Sequence, residues 1–129
     1  MPASGNFVLD KGFIAAAAVT KFRAVKMSGA VDTVTPVTAA NDQVIGIAQY
    51  SVSAGELAKA KRASVRLSGI SEMEIAEAIN EGDEISIDTV GRAVVSAATE
   101  RIVGVALSAA STSGNRVSVM LSLPGTIKA

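Results

Sequence analysis

Apolar and polar residues alternate along most of this chain, and one alternating block occurs twice. Val44-Ile45-Gly46-Ile47-Ala48 returns as Ile102-Val103-Gly104-Val105-Ala106, with the two glycines 58 positions apart. Each copy is followed by a small, polar, glycine-containing stretch and then by a second alternating segment. That segment is Ser64-Val65-Arg66-Leu67-Ser68 after the first copy and Ser118-Val119-Met120-Leu121-Ser122 after the second. These trailing segments are 54 positions apart, so the first hairpin is four residues longer. Upstream, Lys26-Met27 through Val34 precedes the first copy much as Ile85-Ser86-Ile87-Asp88 through Val94 precedes the second. Short segments with a period of two, separated by turn residues, predict strands. A glycine inside each core strand marks a place where two backbones or two sheet layers approach closely.

The remaining segments fill in this picture. Phe7–Val19 is open between helix and strand: four alanines favour a helix, whereas Gly12, Ile14, Val19 and Thr20 favour extended structure, which is the expectation. Phe22–Met27 reads as a strand, Ser28-Gly29 as a turn, and Val31–Val37 as an edge strand or strand end because of Pro36. After the turn at Asn41-Asp42 comes a strand over Val44–Tyr50. Ser53–Glu56 turns the chain, and Glu56–Arg62 is a basic loop or hairpin tip. Ser64–Ile75 alternates over a long stretch, with Val65, Leu67, Gly69, Ser71, Met73 and Ile75 on one face and Arg66, Ser68, Glu72 and Glu74 on the other. Ala76–Asn80 predicts a single helical turn closed by Glu81-Gly82-Asp83. Ile85–Asp88 and Ala93–Val95 are strands around a turn at Thr89–Arg92. The fold class is therefore all-β, mainly β with one short helix. The expected form is a compact barrel or sandwich of two similar half-repeats, residues 20–69 and 78–123, related by a pseudo-twofold. They lie within a single β-rich domain over 11–129, preceded by a flexible, extended N-terminal arm over 1–10.

Composition narrows the chemistry. Hydrophobic residues are 49% of the chain but aromatics only 3%, so Val, Ile, Leu, Ala and Met must fill the core. Such side chains individually bury less area than Phe or Trp, which makes self-association a supplement to stability. The chain has no Cys and no His. Disulfides, thiolate metal sites, Cys nucleophiles and His-centred triads are excluded, and the prior for an enzyme falls sharply. Zero net charge argues against nucleic acid as a partner. The halves nevertheless differ: residues 1–69 carry eight Lys/Arg and four Asp/Glu, residues 70–129 four and eight. Seven of those acids lie between Glu72 and Asp88 with no base among them. Such a run is either a solvated edge or a surface that meets a basic partner or a neighbouring copy. The apolar run Phe13–Val19 is too short to span a bilayer, and Asp10 and Lys11 before it do not make a signal-peptide n-region. The reading is a soluble chain of intracellular origin with no membrane partner.

Three segments come near known motifs. Ala24-Val25-Lys26-Met27 partly matches the lysine motif of biotin carriers, but Val stands before the lysine and Lys26 lies early in the first half-repeat rather than between halves. Glu81-Gly82-Asp83-Glu84 with Asp88 lacks the spacing of a calcium loop, and no metal ligands are assigned. Ser111–Arg116 is a hairpin tip without the ending of a phosphate loop. No catalytic or cofactor-binding residues are identified, and no cofactor is expected.

Several blocks in order carry a family resemblance: Ser64-Val65-Arg66-Leu67-Ser68-Gly69-Ile70, Ala78-Ile79-Asn80-Glu81-Gly82-Asp83, Asp88-Thr89-Val90-Gly91-Arg92-Ala93-Val94, Ile102–Leu107 and Arg116–Leu121. Together these span residues 20–123, and the chain resembles the capsid decoration, or cement, proteins of tailed bacteriophages. The resemblance implies a non-enzymatic virion protein, made in the host cytoplasm, that binds the outer surface of the head. It implies bridging of major capsid protein subunits, commonly as a homo-oligomer, a trimer. Alternatives are a head-fibre base or tail-associated protein and, from another class, a small carrier or ligand-binding β-barrel. For the leading reading, the arm, with Pro2, Ser4, Asn6, Phe7 and Lys11, and the loop, with Lys59, Lys61 and Arg62, are the expected capsid contacts. Glu72, Glu74 and Glu77 are the expected protomer contacts, facing the basic half of a neighbouring copy.

Overall fold

The computed structural model describes residues 7–128. In chain order the elements are β1 (Leu9–Ala15), β2 (Ala24–Met27), β3 (Thr33–Pro36), β4 (Gly46–Ala48), α1 (Ala54–Leu57), β5 (Ala63–Ser68), β6 (Ile70–Glu74), β7 (Glu84–Ile87), β8 (Ala93–Val95), β9 (Arg101–Ala106) and β10 (Arg116–Ile127). The first five strands close into a barrel in the order β1-β3-β2-β4-β5. The last five form a sheet in the order β6-β10-β9-β7-β8. A parallel bridge from Ile75 to Ala93 joins the two ends of that sheet. It stands where β1 and β3 pair in parallel through Ala15 and Val34. The two halves thus have the same cyclic strand order, and the repeat seen in the sequence is a repeat of whole barrels.

Registers agree as well. Phe13 faces Ala63 in the first barrel and Met73 faces Val117 in the second. Asp10 opposite Arg66 corresponds to Ile70 opposite Met120. Val25 opposite Gly46 corresponds to Ile85 opposite Gly104. Three turns take a left-handed backbone in both copies: Phe22, Asp32 and Ala60 in the first occupy the places of Gly82, Gly91 and Gly114 in the second. Glycine adopts this conformation freely and a bulky residue does not, so at Phe22 (φ 63°) the surrounding fold imposes it.

The interiors correspond residue by residue. Phe13, Val19, Val25, Val34, Ala48, Val52, Ala63 and Val65 fill the first barrel. Met73, Ile79, Ile85, Ala93, Ala106, Ala110, Val117 and Val119 take the same places in the second. The second cluster continues into the junction between barrels, where Ala24, Val37, Val44 and Ile47 of the first meet Ile75, Ile87 and Val103 of the second. The Ala24 N–H donates to Gly91 O (2.9 Å) and the Glu74 N–H to Phe22 O (2.9 Å) across this junction. A side chain on Gly91 would strike the Ala24 backbone, which is why the barrels approach so closely there. The strand glycines serve the close approach their sequence context predicts. A Cβ on Gly46 would lie 2.5 Å from Val65 Cγ1, and one on Gly104 2.6 Å from Val119 Cγ1.

Three expectations are corrected. The helix is α1 and not Ala76–Asn80. Ser53 and Glu56 form a capping box that starts α1, whereas Ile79 is buried and held extended by reciprocal hydrogen bonds with Ala110. Ser64–Ile75 is not one strand: Gly69, at φ 99°, breaks it and passes the chain from one barrel to the other. β1 begins at Leu9, so Leu9 and Asp10 belong to a strand and not to an arm.

Candidate functional site

β1 and β5 form a ribbon whose two ends carry the two expected capsid contacts. Leu9 pairs with Ser68 at one end and Phe13 with Ala63 at the other. Phe7, 86% exposed, and Leu9, 57% exposed, stand at the first end. Pro2, Ser4 and Asn6 lie outside the described residues. Lys11 does not reach into solvent as a free charge: its Nζ contacts Asp32 Oδ1 at 3.2 Å and lies 4.4 Å from the centre of the Phe13 ring.

The basic loop lies at the far end of the ribbon, directly after α1. Lys61 Nζ donates to Glu56 Oε2 (2.8 Å). That bond, together with the Ser53 N–H, pulls the Glu56 carboxyl well below the ordinary carboxylate range to about 2. Lys59 and Arg62 are exposed. Arg62 and Lys61 rim a shallow depression floored by Ile14, Ala15 and Leu57. The structure brings the expected loop residues together and separates them from Phe7 by the length of the ribbon, about 15 Å at some 3.3 Å per residue.

The acidic run is largely answered within the chain. Glu74 accepts two hydrogen bonds from Arg23, both 3.1 Å, across the barrel junction. Glu72 lies 3.6 Å from Arg116, Glu84 2.8 Å from Lys128 and Asp88 2.9 Å from Arg92. Glu77 accepts a hydrogen bond from the Val95 N–H. Segments far apart in sequence supply every one of these cations except Arg92, which is why the run looked unopposed on the linear chain.

Sequence reasoning missed two surfaces. One is a cleft of about 250 Å³ lined by Asp10, Phe22, Gln49, Tyr50, Arg66 and Glu72. Within it the Asp10 carboxylate accepts two hydrogen bonds from Arg66 (2.8 and 3.1 Å), an arrangement that raises the Arg66 pKa. The other is the end of the first barrel, where Ile14, Met27 and Val31 are exposed. For the cleft the signal was the repeat itself, since matched positions differ sharply in polarity: Asp10 against Ile70 and Arg66 against Met120. For the barrel end, Val31 matches Val90 in kind and only their exposure, 88% against 42%, differs. Among the described residues no group of His, Cys, Asp or Glu is placed to hold a metal ion, and no helix is long and apolar enough to cross a membrane.

What the molecule offers is exposed faces on a duplicated β scaffold, the make-up of a structural protein that works by contact. The chain belongs to the phage cement protein family, whose pattern it matches over residues 2–121. A solved structure of similar fold is the head fiber gp8.5 N base in bacteriophage phi29, with a TM-score of 0.70 at 18% identity, covering 95% of this chain and 100% of that one. No curated protein matches. The chain is thus a structural protein of the phage head.

Proposed function

We propose that this protein binds the outer surface of the phage head and bridges neighbouring major capsid protein subunits, acting as a homotrimer. Family membership over nearly the whole chain is the observation that carries this reading. Geometry supports it: the expected contacts at Phe7–Leu9 and Lys59–Arg62 would lie at opposite ends of one two-stranded ribbon, an arrangement suited to touching two subunits at once. Each contact need contribute little, because many copies on a lattice act at high effective concentration. Co-sedimentation with expanded and unexpanded capsids tests the reading. Binding to expanded capsids is expected. Deleting residues 2–8, which precede β1, or replacing Lys59 by Ser should each weaken it while leaving the free oligomer intact. Failure of the intact protein to co-sediment overturns the proposal. The fold of the phi29 fiber base favours a second reading, a head-fibre base, which labelling of intact virions with an antibody to this chain would reveal as density beneath a fibre.

A further inference from the structure

The junction inside the chain packs the end of one barrel on the wall of the other. The wall belongs to the first barrel (Ala24, Val37, Val44, Ile47) and the end to the second (Ile75, Ile87, Val103, with Val90 and Gly91 at the rim). Because the barrels are copies, the first barrel also has an end and the second also has a wall. The end of the first barrel presents Ala15, Met27 and Ile45 in the places of Ile75, Ile87 and Val103, with Val31 in that of Val90. Here Val31 is 88% exposed and Met27 42%, while Ala15 and Ile45 are half-buried against the first barrel's own core. Ile14, beside them, is 47% exposed. The wall of the second barrel presents half-buried Ile102 and Val105 in the places of Val44 and Ile47, with Ser96 in that of Val37. Each copy thus carries a second end with exposed Met27 and Val31, and a second wall on which Ile102 and Val105 are only half-buried.

We propose that these two faces are for each other: the first barrel's end packs on the wall of the second barrel of the next copy, head to tail. The two rims differ in charge: Arg62 borders the exposed end, beside Lys61 paired with Glu56, and Glu84, paired with Lys128, stands opposite Val105 on the wall. The contact is less close than the internal one. Asp32 stands where Gly91 admits the Ala24 backbone, and Glu84 stands where Ala24 does. A head-to-tail contact closes into a ring when its rotation allows. Three copies would then alternate six barrels around the axis. The number three rests on the trimer of the preceding section; the faces themselves rest on the duplication.

The test is light scattering on the purified full chain, with variants of each face. The parent is expected at three times the chain mass of 13.0 kDa. Met27→Asp with Val31→Asp alters only the end, and Ile102→Asp with Val105→Asp only the wall; each should give monomers. Mixing the two variants leaves one intact end and one intact wall, and should give a one-to-one dimer that grows no further. Thermal melting verifies that each variant is folded, and Val105→Asp alone serves for the wall if the double change unfolds. A monomeric parent overturns the proposal, as does an oligomer that survives either variant or a mixture that stays monomeric. Capsid binding by a parent that is monomeric in solution would sink the self-contact while leaving the capsid reading standing.

Discussion

Replacing Gly46 or Gly104 by Ala should destabilise the fold by similar amounts, because the two sites repeat one geometry. An added methyl at Gly46 would sit 2.5 Å from Val65 Cγ1, and at Gly104 2.6 Å from Val119 Cγ1. Carbon atoms in contact prefer about 3.5–4.0 Å, so each strand pair would have to part by about 1 Å. The β4–β5 pairing consists of Ile47 with Arg66 and Ala48 with Val65, and has little length over which to absorb the shift. Overpacking of this kind costs about 1–3 kcal/mol, and a weakened ladder hydrogen bond about 1 kcal/mol more. The expected loss is about 2–4 kcal/mol. For a chain of this size that lowers the melting temperature by roughly 6–16 °C at about 3–4 °C per kcal/mol. Gly12→Ala is the control: it lies on β1, and its new methyl would meet nothing nearer than Arg62 Cβ at 3.9 Å. There the smaller entropy of the unfolded chain should leave stability unchanged or raise it by about 0.5 kcal/mol. Calorimetry of the three variants decides the matter. Melting of the Gly46 and Gly104 variants within two degrees of the parent, or a Gly12 variant as damaged as they are, would refute the close approach.

Arg23→Ala and Glu74→Gln each break the paired hydrogen bonds across the barrel junction; each should cost about 1–2 kcal/mol in urea unfolding, with a coupling of about 1 kcal/mol in the double-mutant cycle. Asp42 accepts hydrogen bonds from the Thr38 and Ala39 N–H groups and contacts Lys26, which lowers its pKa to about 2. A carboxyl depressed on folding contributes stability above its unfolded pKa, and that contribution is lost as pH falls from about 4 to about 2. The melting temperature should therefore drop over that window, and less steeply in Asp42→Asn, whose own melting point at pH 7 should be lower than the parent's. Ser53→Ala removes the cap of α1 and should cost about 1 kcal/mol by the same unfolding assay; no change would mean that the four-residue helix is held by its surroundings instead.

The repeat was legible because period-two alternation survives in both copies, and because Gly46 and Gly104 hold a place that no side chain can take. The ring closures were not: they depend on single contacts such as Ile75 with Ala93, which leave no trace in local pattern. The helix was misplaced because helix propensity at Ala76–Ala78 is a weak local preference, and burial of Ile79 against Ala110 overrides it. The long alternation through Ser64–Ile75 concealed a boundary, since one left-handed glycine reverses the chain without disturbing the polar pattern on either side. On the surface, the loop at Lys59–Arg62 was found from its charge alone. The barrel end at Met27 and Val31 was not, because isolated apolar residues in a β chain look like core until the fold shows which lack cover.

The matched interiors amount to an alignment written within a single molecule. Where the first barrel sets large Phe13 against small Ala63, the second sets two middle-sized residues, Met73 against Val117. Val25 with Val34 in one answers to Ile85 with Ala93 in the other. The two barrels thus divide side-chain volume differently between neighbouring core positions. Moving one member alone, as in Ala63→Val, overfills a space still holding Phe13, whereas Phe13→Met with Ala63→Val transplants a combination that the fold already houses 60 residues away. The two halves have become separate dialects of one packing grammar, and residues can be exchanged between them only in pairs.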